Sequence, residues 1–425
     1  MRRKRAVLAS ALAVGLVAGG AIVAVTAVGS GSAMAAGSAL SSNWYASAPY
    51  DMPLDNNPPN LTQVMAATGE KAYVLAFVLA ENETTCAPAW DGGSSVVSSS
   101  DAVASQINAL RADGGDVAVS FGGYNGTKLG QVCGTAAATA AAEQTVITTY
   151  GLHAIDLDLE EPEYESSSAI ANELGAAQII QSEDPGIYIS VTMPGTTSGT
   201  GWFGEQLLDE AKTLGFTPNS FTIMPFDGGF SGASSQITAL EDFNGILTST
   251  FGWSSATAYA HEGISSMNGR TDSAEYFYQA DFQTVLTWAE GVGLGRYSFW
   301  DVNRDLECNP PSNNGDLSGT CSSVTQNSWD FTKYDAEFAG ATPPVSTSPT
   351  ATASATASSS PTASASPTTS STGGSGSCAA AWSSSSSYSS GAEVSYNGDN
   401  WTANQWSYDE VPGGASGAWT SDGAC

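Results

Sequence analysis

Between Ile155 and Glu160 the chain reads Ile-Asp-Leu-Asp-Leu-Glu, a strict alternation of aliphatic and acidic residues. As a strand, this segment sets Asp156, Asp158 and Glu160 on one face and the three aliphatics on the other. Same-face neighbours then lie only about 6.6 Å apart, at about 3.3 Å per residue. Three ionised carboxylates so close together repel, so in a partly dry site one or more should be held protonated. A carboxyl that stays neutral at neutral pH can give its proton to a glycosidic oxygen, which makes Glu160 a candidate general acid. An exposed acidic strand or a calcium site would use the same residue types. Glu161, Glu163 and Glu165, beyond the strand, read as solvated loop charge.

Such a row needs a scaffold that brings a strand end to an open mouth. Short apolar runs that favour β structure recur at 72–79, 117–121, 155–159, 187–192, 221–223, 256–260 and 296–299, with helix-like stretches at 101–112, 136–150, 166–180, 203–214, 235–247 and 277–290. Adding 44–50 as a first strand gives eight β units alternating with helices. That pattern predicts an α/β fold, a (β/α)₈ TIM barrel over residues 36–339, and excludes an all-β sandwich. In such a barrel the C-terminal ends of the strands line the mouth, where Glu160 would sit.

Other motifs fall in the order this scaffold requires. Ser120-Phe121-Gly122-Gly123 ends the strand before the acidic one. Leu75-Ala76-Phe77-Val78, Cys86-Ala87-Pro88-Ala89-Trp90, Leu110-Arg111-Ala112-Asp113-Gly114-Gly115 and Trp300-Asp301-Val302-Asn303-Arg304-Asp305 accompany it. Asp156-x-Asp158-x-Glu160 resembles the Asp-x-Asp-x-Glu signature of family 18 glycoside hydrolases, and Ser120 to Gly123 resembles that family's Ser-x-Gly-Gly motif. The whole set is similar to a bacterial and archaeal chitinase subgroup across most of residues 44–310. The resemblance implies hydrolysis of β-1,4-linked N-acetylglucosamine with retention, in which the substrate's own acetamide oxygen is the nucleophile. Glu160 would protonate the leaving oxygen, Asp158 would orient the acetamide, and Asp156 would share a proton with Asp158. Asp227 joins the catalytic set. Trp300 would floor the pocket, and Met224, Phe226, Ser120, Gly122 and Gly123 would complete the substrate site. No cofactor or metal is implied.

The resemblance also locates departures. Where most of the family places a Tyr near the sixth strand, this chain reads Met224-Pro225-Phe226-Asp227-Gly228-Gly229. Asp227 keeps its place, while Phe226 or Gly228 stands where a hydroxyl would hold the acetamide; losing such a donor lowers turnover by about 10²-fold unless another group replaces it. His153 stands where the signature usually has a further Asp, either bonded to Asp156 or simply structural. In Ser265-Ser266-Met267-Asn268-Gly269-Arg270-Thr271-Asp272 the subgroup's loop survives only at Met267, Gly269 and Asp272. Two other readings follow: a catalytically weak, lectin-like chitin-binding protein, and an endo-β-N-acetylglucosaminidase acting on glycans.

Composition sets the surroundings. Arg2, Arg3, Lys4 and Arg5 precede an apolar stretch and Ala33-Met34-Ala35, the pattern of a secretory signal over residues 1–35. A membrane anchor is the rival reading of that stretch. Cleavage would remove four of the 12 basic residues and none of the 42 acidic ones. The resulting acidic, extracellular protein would repel nucleic acid and anionic membranes, and a neutral polymer such as chitin or its oligosaccharides is a compatible partner for a monomer. Six cysteines in an exported chain favour disulfides and pair by region as Cys86–Cys133, Cys308–Cys321 and Cys378–Cys425. Apart from Val345, residues 340–377 are small, hydroxylated or proline residues and read as a linker that can reach on the order of 100 Å. The remaining segment, 378–425, is too small for a generous core and needs a staple. It resembles chitin-binding modules of carbohydrate-binding family 5/12. Trp406 is its candidate ligand platform, with Trp401 either beside it or in the core.

Overall fold

The computed structural model describes residues 37–341 and, in the tail, 378–383, 387–388, 392–403, 407–408, 411–413 and 419–425. The expected signal segment, nearly all of the linker and Trp406 lie outside the described residues.

Eight parallel strands follow one another in chain order. They are β1 (Tyr50–Asp51), β2 (Ala72–Asn82), β3 (Asp116–Gly122), β4 (Ala154–Asp158), β5 (Tyr188–Thr196), β6 (Ser220–Met224), β7 (Glu262–Met267) and β8 (Arg296–Trp300), each paired in parallel with its predecessor. Between successive strands run α1 (Leu61–Thr68), α2 (Ala102–Ala112), α3 (Ala136–Tyr150), α4 (Ser167–Glu183), α5 (Trp202–Leu214), α6 (Gly232–Phe251) and α7 (Gln279–Val292), and α8 (Thr332–Phe338) follows β8. Parallel neighbours need a crossover long enough for a helix, and every connection here supplies one. Helix starts are written in capping side chains: Asp101 accepts from the Ala104 amide, Thr135 from Ala138 and Ser166 from Ala169. The last strand returns beside the first through side chains, since Ser298 Oγ donates to the Ala48 carbonyl (2.7 Å) and Arg296 Nη1 to that of Tyr45 (2.9 Å).

The alternation of each strand divides the core in two. Leu75, Val119, Ile155, Leu157, Ile189, Val191 and Phe221 face the helices and form the large outer core. Small and polar residues fill the inner side, with Val74, Ala76, Ala118 and Ala154 packed around Tyr50 and Tyr188. Arg111 joins the outer elements: its Nε donates to Asp116 (2.7 Å), and its two terminal nitrogens donate to the carbonyls of Tyr150 and Gly151.

Two of the eight expected strands are corrected. Residues 42–47 form a helix and only Tyr50–Asp51 is strand. Residues 256–260, read as a strand, belong to a helix (Ser255–Ala260) that Ser254 caps; the strand is Glu262–Met267. Its inward positions carry Gly263 and Ser265, so an apolar-run criterion passes it over. All three expected disulfides are present, with Cα–Cα separations of 4.7, 5.0 and 4.7 Å. In the tail, β9 (Glu393–Tyr396), β10 (Asp399–Ala403) and β11 (Trp419–Ala424) form an antiparallel sheet around Val394, Ala403 and Trp419. Among the described residues no helix is long and apolar enough to cross a membrane.

Candidate active site

The register of β3, β4 and β5 builds the site. Ser120 and Ser190 lie opposite Asp156, and Gly122 and Thr192 lie opposite Asp158. Asp156 is fully buried and accepts four hydroxyl donors: Tyr50 Oη (2.8 Å) and Ser120 Oγ (2.7 Å) on one oxygen, Ser190 Oγ (2.6 Å) and Thr192 Oγ1 (2.9 Å) on the other. Four donors match the capacity of an ionised carboxylate. The residue expected to share a proton with Asp158 thus sits in a cage of hydroxyls.

Asp158 has the opposite surroundings. It is 2% exposed, its Oδ1 makes no hydrogen bond, and burial, then the charges of Glu160 and Asp156, push its carboxyl well above the usual carboxylate range. Glu160, one step further, reaches the open end of the sheet and is partly exposed. Desolvation and then Glu161 raise its carboxyl to about 8, against the pull of Lys128. Within one strand the row thus runs from a carboxyl caged by hydroxyls to two whose proton affinity burial raises.

Glu160 and Asp158 line a cleft of about 680 Å³ together with Met224, Phe226, Asp227 and Trp300. Trp300 stacks on Phe77, with ring centroids 5.4 Å apart and planes 10° apart, and so presents a flat aromatic floor. Asp227 is fixed by the Ser273 amide, which donates to its Oδ1 (2.6 Å). Glu275 accepts from the amides of Asp227, Gly229 and Phe230, each at 2.7 Å, and so shapes the loop after β6. Met267 and Asp272 also line the cleft, whereas a Cβ on Gly269 would stand 2.0 Å from the Ser322 carbonyl oxygen.

Several expected contacts move. Ser120 turns to Asp156 and does not reach the cleft. Gly122 and Gly123 serve packing: a Cβ on Gly122 would come within 1.9 Å of the Asp158 carbonyl oxygen, and one on Gly123 within 2.7 Å of the Phe77 ring. His153 bonds the Gly37 carbonyl (2.9 Å), which leaves it a structural residue. Glu163 is buried, not solvated. Trp401 packs against the small tail core and donates its Nε1 to the Tyr396 carbonyl (3.2 Å).

Sequence reasoning passed over Tyr50, Ser190 and Thr192, because hydroxyls scattered over other strands carry no spacing signal. It also passed over Lys128 and Ser265. Ser265 sits on β7, 1% exposed, lines the cleft, and its Oγ makes no hydrogen bond among the described residues. That leaves an unbonded hydroxyl in a site where Phe226, just after β6, brings none.

No protein-family model matches the chain. It is 28% identical over 278 residues to a probable bifunctional chitinase/lysozyme of Escherichia coli, covering 61% of this chain and 31% of that protein. It is 28% identical over 279 residues to endochitinase 11 of Metarhizium anisopliae, covering 61% of this chain and 52% of that protein. The chain thus spans 31% to 52% of the length of these curated relatives. The catalytic domain of a hyperthermophilic chitinase from Pyrococcus furiosus superposes with a TM-score of 0.61 at 25% identity, over 68% of this chain and 93% of that one. Active-site mutants of active domain 2 of a thermostable chitinase from that organism, solved with chito-oligosaccharides, superpose with the same TM-score at 24% identity. The fold is that of a chitinase catalytic domain. Within this chitinase fold the acid row lies at the C-terminal end of β4, where strand ends open into the cleft.

Proposed function

We propose that this chain is a secreted glycoside hydrolase of the chitinase type, cleaving β-1,4-linked N-acetylglucosamine polymers with Glu160 as general acid. The observation that carries the reading is Glu160 itself: a strand-end carboxyl, held protonated near neutral pH, open to a cleft floored by Trp300. The likeness to chitinase catalytic domains supports it, as does the side-chain seam between β8 and the segment around β1, which fits closure of the eight strands into a (β/α)₈ barrel.

In this reading Glu160 gives its proton to the glycosidic oxygen as the bond to the anomeric carbon breaks, and the electron pair leaves with that oxygen. The acetamide oxygen of the substrate attacks the same carbon, and water later opens the ring so formed with net retention. Asp158 orients the acetamide and stabilises the positive charge that develops on its nitrogen. Ser265 supplies the hydroxyl that Phe226 lacks. The tail acts as a chitin-binding module that raises the local concentration of substrate along the linker. Activity depends on the protonated acid, so it is retained below about pH 8 and lost as pH rises through that value.

Hydrolysis of chitin hexamer by wild type and by Glu160→Gln tests the reading, with products resolved by anomer. Wild type should release shorter β-anomers, and the variant should lose at least about 10³-fold. Binding without release at any enzyme dose would favour a lectin and overturn the proposal.

A further inference from the structure

Lys128 lies directly after the loop 124–127 and is 1% exposed. Its Nζ donates to three consecutive carbonyls, Tyr124 (2.8 Å), Asn125 (3.1 Å) and Gly126 (3.1 Å). A neutral amine has two N–H donors and an ammonium has three, so three converging acceptors call for the charged form. Among the described residues ion pairs join Arg111 to Asp116 and Lys333 to Asp330, and none includes Lys128. A buried ammonium with no carboxylate in direct contact is costly, and a neutral amide could tie down a loop more cheaply.

The surroundings indicate what the charge is for. Glu163, Glu160, Asp158 and Glu161 face Lys128, and behind Glu163 stand Glu173 of α4 and Glu143 of α3. The charged groups acting on Glu160 are Glu161 of its own loop, Asp272 and Asp227 of the loops after β7 and β6, Asp158 of β4, and Lys128. Lys128 is the cation in that set. The carbonyls it gathers belong to residues that line the cleft beside Glu160.

We infer that Lys128 is a positioning residue for the reaction: its ammonium fastens the 124–126 loop along the cleft and sets a fixed positive charge beside the general acid. The assignment rests on the reading of Glu160 above. When Glu160 passes its proton to the leaving oxygen, the new carboxylate forms among acids, and Lys128 offsets that charge without itself giving or taking a proton.

Hydrolysis of chitin hexamer by wild type, Lys128→Met and Lys128→Arg, with kcat and KM followed from pH 4 to 10, tests this. Without the cation Glu160 holds its proton more tightly, so in Lys128→Met the alkaline limb of kcat should move to higher pH. Turnover at the optimum should fall about 10- to 100-fold, and KM should rise as the loop loosens. Lys128→Arg should return the limb toward its wild-type position. A folded Lys128→Met with an unmoved limb and wild-type turnover overturns the inference. Should that variant not fold, Lys128→Gln, which keeps two donors and no charge, gives the same reading. Folding lost in both neutral variants but kept in Lys128→Arg, with turnover and limb unchanged, would make Lys128 a stability residue and also overturn it. An inactive wild type would bring down the chitinase reading and this inference together, whereas an active wild type with unmoved variants would sink this inference alone.

Discussion

Two trios of carboxyls are buried in this chain, and they are arranged to opposite ends. Asp156, Asp158 and Glu160 descend one strand, and each meets a different environment: Asp156 has four hydroxyls, Asp158 is buried in the cleft wall beside the charges of Glu160 and Asp156, and Glu160 is open to the cleft. Glu143, Glu163 and Glu173 face one another between α3, α4 and the loop after β4, where Glu173 accepts from the Gly130 amide and, with Glu163, fills the space a Cβ on Gly130 would take. Burial, reinforced by mutual repulsion, raises Glu143 and Glu163, and burial also raises Glu173. Among the described residues no acidic cluster has the geometry to hold a metal ion. A raised carboxyl is thus no mark of catalysis. What separates the first trio from the second is an open path to substrate and a graded set of partners along the strand.

Substitutions can break that contrast. After Glu160→Gln, Asp158→Ala should cost the most in activity, about 10²- to 10³-fold in turnover on chitin hexamer, because it removes the group aimed at the reacting acetamide. A loss confined to KM would remove Asp158 from the chemistry. Asp156→Ala would leave four inward hydroxyls without their acceptor and should lower stability by about 3–5 kcal/mol in urea unfolding. An unchanged urea midpoint would show that the cage is dispensable. Ser265→Ala should reduce turnover about tenfold with unchanged stability if its hydroxyl replaces the donor missing at Phe226. Wild-type rates in that variant would leave the acetamide without a donor on this side.

The smallest effect sharpens the other half of the comparison. Carboxyls raised by burial bind more protons in the native state than in the unfolded one. Their stabilising contribution is full below about pH 4 and is lost as pH rises through the folded values, about 8 for Glu70 and Glu160 and about 7 for Glu161 and Asp301. The melting temperature should therefore fall by several degrees between pH 5 and 8. Glu143→Gln keeps the shape without the titration, so it should flatten that slope while turnover stays at the wild-type value. A steeper slope, or lost turnover, would show that the second trio serves the first.

The parts of the molecule legible in the sequence are those that repeat at a fixed spacing. The β4 alternation located all three acids of the row, and the helix-like stretches starting at 101 and 166 fall within a residue of the observed helix starts. Reading by apolar runs failed at β7, whose inward face is glycine and serine, and at β1, which is two residues long. The cage of Asp156 was invisible for a different reason: its donors come from three other strands and are ordinary hydroxyl residues in each. Lys128 and Glu275 were missed likewise, since a lone charge in a loop reads as solvent-facing until the loop is seen folded over it.

The hydroxyl cage also bears on how the molecule assembles. Tyr50, Ser120, Ser190 and Thr192 reach Asp156 from β1, β3 and β5, separated from it by 106, 36, 34 and 36 residues along the chain. Local helix formation cannot complete this knot; it waits for the most distant pairing, which closes late in a chain that collapses from nearby contacts. Recovery of enzyme activity after dilution from denaturant should therefore lag behind recovery of helical circular dichroism, so that catalysis clocks the final step of folding.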